Sequence, residues 1–145
     1  MKSLLSSWQT WALLSALFAA LTAIFGKVGI ERVAPDFATL IRVVVILAFV
    51  AVLVAVTGAA QPLASIPAKT YTFLALSGLA TGASWLCYYR ALKLGPASMV
   101  APLDKLSVVL VALIGVGLLG EHMNLKNWLG VALITGGAVL VGWKA

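Results

Sequence analysis

Five apolar stretches, each about as long as a lipid bilayer is thick, constrain the fold of this chain most. They cover residues 8–30, 36–58, 70–92, 97–119 and 124–143. An α-helix of about 20 apolar residues crosses the ~30 Å hydrocarbon core of a bilayer. Helices are expected because hydrocarbon offers backbone amides no partner, and because no stretch alternates as a barrel strand does. The sequence therefore predicts an all-α membrane protein with five transmembrane helices.

Composition agrees with this class. The chain of 145 residues is 63% hydrophobic and 10% charged, with a mean hydropathy of +1.11, which is far too apolar for a soluble domain. The connections between the apolar stretches are too short to hold a second domain. We expect one transmembrane domain over residues 1–145, inserted as a multi-pass protein of the inner or plasma membrane, with the lipid bilayer as its surroundings.

Charge, cysteine and motif content exclude several functions. The net charge of +6 comes from cations scattered singly between the apolar stretches, as loop anchors are, so nucleic acid is not an expected partner. Cys87 is the single cysteine, so no disulfide framework exists. Glu121 and His122 stand without further metal-binding residues, and no serine has a general base beside it. We expect no enzyme activity, no cofactor and no metal site.

The loop cations also predict an orientation. Because the helices alternate in direction, the loops fall on two sides of the membrane. Cations are more numerous on the side opposite the N-terminus, and the positive-inside rule then places the N-terminus outside and the C-terminus inside. The excess is small, so insertion in both orientations remains an alternative. The two sets are Lys2, Lys69 and Lys126 against Lys27, Arg32, Arg90, Lys93 and Lys144.

Ionisable residues also lie inside the predicted helices, where a charge is costly and marks either a functional site or a structural pair. They all lie within about two helical turns of the same membrane boundary. In the functional interpretation they line a hydrated cavity that binds an anionic or zwitterionic substrate, and Asp104 is the candidate for proton exchange. In the structural interpretation Lys27, Arg90 and Lys93 extend to the lipid headgroups, and Asp104 pairs with Arg42 or Lys27. The residues predicted to bind or gate the substrate are Arg42, Trp85, Tyr88, Arg90, Asp104 and Lys105.

An ordered series of short motifs adds a family resemblance. The hairpin reads RALKLGPAS over residues 90–98 and VAPL over 100–103, and LLGE follows at 118–121. Phe25-Gly26-Lys27 and Arg42 agree in the first half. This series resembles the EamA domain of the drug/metabolite transporter superfamily, in its small single-domain form, and covers nearly the whole chain. Asp104-Lys105 stands where that form commonly has Ser-Pro.

The resemblance implies a secondary transporter, built from five helices per domain, that exports small metabolites or amino-acid-like solutes. Most relatives carry two domains as an inverted repeat, so a single domain is expected to work as a homodimer, either antiparallel or parallel. The first helix lacks the embedded glutamate of the related four-helix multidrug exporters, which disfavours the export of aromatic cations. The alternative is a non-transporting or accessory subunit of a heteromeric membrane complex.

Overall fold

The computed structural model describes residues 7–143, which are helical with no β-strand among them, and so confirms the predicted all-α class. Lys2 and Lys144, which the topology prediction counts, lie outside the described residues. A short 3₁₀ turn, Leu63–Ser65, lies in the loop between the second and third helices. The helices are α1 Trp8–Gly29, α2 Pro35–Thr57, α3 Ala68–Leu94, α4 Ala97–Asp104, α5 Ser107–Leu118 and α6 Leu125–Gly142.

Four segments of the described chain are long and apolar enough to cross a membrane. They are α1, α2, the α4–α5 segment Ala97–Leu118, and α6. The third helix, α3, is longer than any of these at 27 residues but is not among the four. Small and polar residues such as Ser77, Thr81 and Ser84 interrupt its apolar sequence. It is therefore the helix least suited to being surrounded by lipid on all sides.

The ends of α2 follow the rules for helix termini. Pro35 occupies the first turn, where its missing N–H costs nothing, and Asp36 places a negative charge at the positive end of the helix dipole. The helix ends at Gly58, whose φ of 65° is left-handed and whose N–H donates to the Val54 carbonyl. These signals fix where α2 begins and ends.

The predicted continuous helix over 97–119 is interrupted. Pro102 lies in the last turn of α4, and α5 begins only at Ser107. At the junction the N–H of Lys105 donates to the carbonyl of Pro102 at 3.1 Å, and that of Leu106 to Leu103 at 3.0 Å. These bonds reach three residues back instead of four, which tightens the turn. A proline inside a helix removes one hydrogen bond and crowds the turn before it, so Pro102 weakens α4, and the interruption follows within one turn after it.

The chain forms two compact units. One is Phe25–Lys93; the other combines Met1–Ile24 with Leu94–Ala145. In the first unit the most deeply buried side chains are Ile30 and Leu92, at 1% and 0% exposure. In the second, α4 and α5 both pack on α6. Most large apolar side chains are exposed to their surroundings in both units, as expected for helices that face lipid.

Candidate functional site

Arg42 is the charged residue with the most unusual surroundings. It lies two turns into α2, and its guanidinium carbon is 4.1 Å from the centre of the Trp85 ring and 5.5 Å from that of Tyr89. Trp85 and Tyr89 are four residues apart and therefore share one face of α3. Cation–π attraction of about 1 kcal/mol per ring holds the guanidinium on this aromatic face. The site thus presents an arginine whose position is set by ring contacts.

One nitrogen of this guanidinium lacks a partner. Nη1 of Arg42 is buried and has no hydrogen-bond acceptor among the described residues. Leaving a buried charged donor unsatisfied costs more than leaving a neutral one, about 3 kcal/mol or more in the absence of an acceptor. Such a group requires an acceptor that the described residues do not supply.

Tyr89 is held in place by close packing against α1. The residue is only 6% exposed. A Cβ atom added to Gly26 would lie 3.2 Å from the Tyr89 hydroxyl oxygen, so the glycine is what allows this approach. The position of Tyr89, and with it one wall of the Arg42 site, depends on the absence of a side chain at residue 26.

The two lysines predicted near the same boundary act as caps on helix ends. Lys27 Nζ donates to the Leu92 carbonyl at 2.6 Å, near the end of α3. Lys93 Nζ donates to the carbonyls of Ile30 and Glu31, both at 2.7 Å, just beyond the end of α1. Each lysine therefore satisfies carbonyls at the C-terminal end of the other's helix, where a positive charge is favourable. Both ammonium groups thus bond backbone carbonyls of a neighbouring helix.

Arg90 has a partner that the sequence analysis missed. Its Nη2 lies 3.1 Å from Oδ1 and 3.0 Å from Oδ2 of Asp36, in the first turn of α2. Both side chains are about 60% exposed, so the pair contributes at most about 1 kcal/mol. In the sequence, Pro35-Asp36 is a signal for the start of a helix. Such a signal is local, so it carries no information on a partner 54 residues away.

Asp104 and Lys105 lie at the break between α4 and α5 and pair with each other. The Lys105 Nζ atom is 3.3 Å from Asp104 Oδ2. The structure thus brings together two pairs of predicted site residues, Arg42 with Trp85 and Asp104 with Lys105, and these pairs belong to different compact units.

Tyr88 and Tyr89 differ in their environment. Of the two tyrosines, Tyr89 has its ring beside the Arg42 guanidinium. Tyr88 is half-buried, and successive residues of a helix point about 100° apart around its axis. The sequence held a signal for this, because Tyr89 shares the stripe of Trp85 and Tyr88 does not. The predicted set omits Tyr89, and the structure adds it.

The fold and this site define an all-α integral membrane protein with several apolar spans and a charged side chain, Arg42, within one of them. Comparison with known proteins then identifies the family. The model of the EamA-like transporter family matches residues 6–143, so the chain belongs to that family. It is accordingly a multi-pass transporter of the inner or plasma membrane. No solved structure matches the chain.

Two relatives of different similarity are informative. A protein of a Sinorhizobium species described as an "uncharacterized transporter in cobO 3'region" is 66% identical over 135 residues, which is 93% of this chain and 96% of that protein. A Yersinia pestis protein described as a probable 4-amino-4-deoxy-L-arabinose-phosphoundecaprenol flippase subunit, ArnE, is 35% identical over 83 residues. That match spans 57% of this chain and 73% of the flippase subunit.

Proposed function

We propose that this chain is a subunit of a secondary transporter that exports a small metabolite or amino-acid-like solute carrying an anionic group, and that two copies act together. The observation that carries the proposal is the buried Nη1 atom of Arg42, which has no acceptor among the described residues. A carboxylate or phosphate oxygen of the solute is the acceptor that this atom lacks. No catalytic group is part of the proposal.

The chemistry of the guanidinium favours such a ligand. Its planar set of donors matches a carboxylate or phosphate group, and its weak hydration lowers the cost of leaving water. The guanidinium carbon lies over the rings of Trp85 and Tyr89, and the Nη1 donors remain for hydrogen bonds to a ligand. Arg90, by contrast, already has a carboxylate partner within the chain. Arg42 is therefore the arginine that we assign to the substrate.

The polarity of α3 supports a path along this helix. Ser77, Thr81 and Ser84 are exposed in a helix that does not meet the apolar criterion of the other spans. Hydrocarbon is a poor environment for such a face, whereas a hydrated path or a second helical subunit covers it at lower cost. Transporters commonly bind their substrates between two structural repeats, and in this proposal a second copy supplies the other half of the path.

Proton coupling is a further part of the proposal, with Asp104 as the group that exchanges the proton. It is a carboxylate within the span Ala97–Leu118. A transport rate that rises with an imposed proton gradient in the wild type, and does not in Asp104→Asn, is the expected result.

The flippase relative favours a second candidate function. That protein is described as a subunit that flips a phosphate-linked lipid, and it is 35% identical to this chain over 83 residues. A phosphate diester would also bind the Arg42 guanidinium. Because the relative is named a subunit, this candidate includes the case in which the chain is an accessory member of a heteromeric complex.

The experiment is transport by the purified chain in liposomes. Vesicles are loaded with labelled amino acids, carboxylates and sugar phosphates, and solute release is measured in the wild type, in Arg42→Ala and in Arg42→Lys. Removing a desolvated charged contact costs about 3 kcal/mol, so we expect the apparent KM of Arg42→Ala to rise about a hundredfold. Arg42→Lys is expected to be intermediate, because an ammonium group lacks the planar donor set.

A matched control separates binding from general effects of charge loss. Arg32→Ala removes an exposed arginine from the loop after α1 and should leave transport unchanged. Transport by Arg42→Ala at the wild-type rate would refute the assignment of Arg42. If no solute leaves the vesicles but a labelled anionic lipid changes leaflet, the flippase function is supported. If neither moves unless a second chain is added, the chain is an accessory subunit.

A further inference from the structure

A second charged pair lies near the Arg42 site, at one end of the same two helices. Asp36 is in the first turn of α2, and its partner Arg90 lies four residues before the end of α3. Asp36 is six residues before Arg42, which places it about 9 Å closer to the N-terminal end of the span Pro35–Thr57. Arg90 directly follows Tyr89, whose ring lies beside the Arg42 guanidinium. A solute that enters at this end of the two helices therefore meets the Asp36–Arg90 pair before it reaches Arg42.

The pair can open without separation of the helices that carry it. Lys27 and Lys93 already join the ends of α1 and α3 through bonds of 2.6 and 2.7 Å to backbone carbonyls. The Asp36–Arg90 contact, by contrast, joins two side chains and uses a single guanidinium nitrogen, Nη2, at 3.0 and 3.1 Å from the two carboxylate oxygens. Each charge also lies near the end of a helix dipole that favours it, Asp36 at the N-terminus of α2 and Arg90 near the C-terminus of α3. Both charges are thus stabilised even when the contact between them is broken.

The open pair matches a zwitterion in charge. A guanidinium binds a carboxylate, and a carboxylate accepts hydrogen bonds from an ammonium group. A solute that carries only an anionic group would displace Asp36 from Arg90 and leave the Asp36 carboxylate without its partner, which costs free energy. A solute that carries both charges gives each of the two side chains a new partner of opposite sign.

We propose that Asp36 and Arg90 form a recognition site for zwitterionic amino acids. The α-carboxylate of the solute binds the Arg90 guanidinium, and its α-ammonium group binds the Asp36 carboxylate. The inference rests on the proposed function, in which Arg42 is the next anion-binding group on the path, and it narrows the solute to amino acids. Asp36 is the residue that discriminates, because it binds the ammonium group of the correct solute and competes with any carboxylate that lacks one.

The test is equilibrium binding to the purified full chain in detergent micelles, measured by scintillation proximity. One probe is an equimolar mixture of radiolabelled common amino acids, and the other is a mixture of the corresponding carboxylic acids, in which hydrogen replaces the amino group. The wild type should bind the amino acids about tenfold more tightly, since hydrogen bonds to charged groups are the stronger polar contacts. Glu31→Gln is the matched control, because it removes the same charge from the loop after α1, and it should leave both affinities unchanged.

Asp36→Asn should change the two affinities in opposite directions. The affinity for amino acids should fall about tenfold, because the ammonium group loses its charged partner. The affinity for carboxylic acids should rise by up to about fivefold, because these solutes no longer compete with an internal carboxylate for Arg90. Arg90→Gln should weaken the binding of both mixtures. An unfolded chain cannot gain affinity, so the rise in Asp36→Asn is also the control for folding.

The outcomes separate this inference from the proposed function. No binding of amino acids by the wild type, equal wild-type affinities for the two mixtures, or an Asp36→Asn variant that retains the wild-type preference would each overturn the recognition site. If Asp36 discriminates in binding but no solute crosses the liposome membrane, the proposed function fails and the recognition site stands. If solute release depends on Arg42 while Asp36→Asn keeps the preference for amino acids, the recognition site fails and the proposed function stands.

Discussion

Replacing Lys93 by methionine removes a cap while keeping most of the apolar stem of the side chain. In the structure its ammonium group donates to the carbonyls of Ile30 and Glu31 at 2.7 Å, and to that of Val33 at 3.4 Å. These carbonyls follow the C-terminal end of α1, where orphan acceptors accumulate. The substitution leaves them to water and removes a cation from the negative end of the helix dipole.

The expected loss of stability follows from these contacts. Hydrogen bonds to a charged group contribute about 1.5–3 kcal/mol each when shielded from water. Lys93 is exposed, so water replaces part of what is lost. Two short bonds, discounted for this exposure, together with the dipole term lead us to expect the free energy of unfolding to fall by about 2 kcal/mol.

The assay is reversible unfolding in mixed detergent micelles, followed by far-ultraviolet circular dichroism. Lys69→Met is the matched control, since Lys69 is an exposed lysine at the opposite end of the same helix, where a cation opposes the dipole. Its unfolding free energy should be unchanged or slightly raised. If Lys93→Met unfolds at the same detergent fraction as the wild type and the control, the lysine does not cap α1, and the interpretation that it extends to the headgroups returns.

The remaining predictions use pairs of glycines that differ in what lies beside them. A Cβ atom at Gly142 would lie 2.5 Å from the side chain of Leu103 in α4. Gly142→Ala should therefore lower the unfolding free energy by about 1–3 kcal/mol. Gly137→Ala, with nothing within 4 Å, should instead raise it by up to about 1 kcal/mol through helix propensity, in the same detergent titration. Gly26→Ala should displace Tyr89, whose hydroxyl oxygen would be 3.2 Å away, and raise the apparent KM for solute, while Gly29→Ala in the same helix should not. Equal transport by both variants would show that the tyrosine does not position the site.

Some features of the protein were readable from the sequence because they depend on local or average properties. The length and apolarity of the stretches decide that they are membrane helices, since the bilayer sets one required length. The start of α2 at Pro35 and its end at Gly58 follow from residue types whose backbone preferences act locally. Pro102 is visible in the sequence too, yet the apolar pattern predicts one continuous helix over 97–119. Local rules do not say whether neighbouring contacts hold a proline-containing helix straight or let it break.

What the sequence could not supply is the partner of each charge. The sequence predicts only that these cations lie near one boundary of the membrane, whereas in the structure Lys27 and Lys93 cap each other's helices and Arg90 pairs with Asp36. These contacts join residues 54 to 65 positions apart, so only the packing of the helices determines them. The same holds for Arg42, whose ring contacts come from another helix and whose Nη1 atom has no acceptor among the described residues. Hydropathy and helix periodicity are properties of one segment, whereas the fate of a charge depends on what the neighbouring segments bring to it.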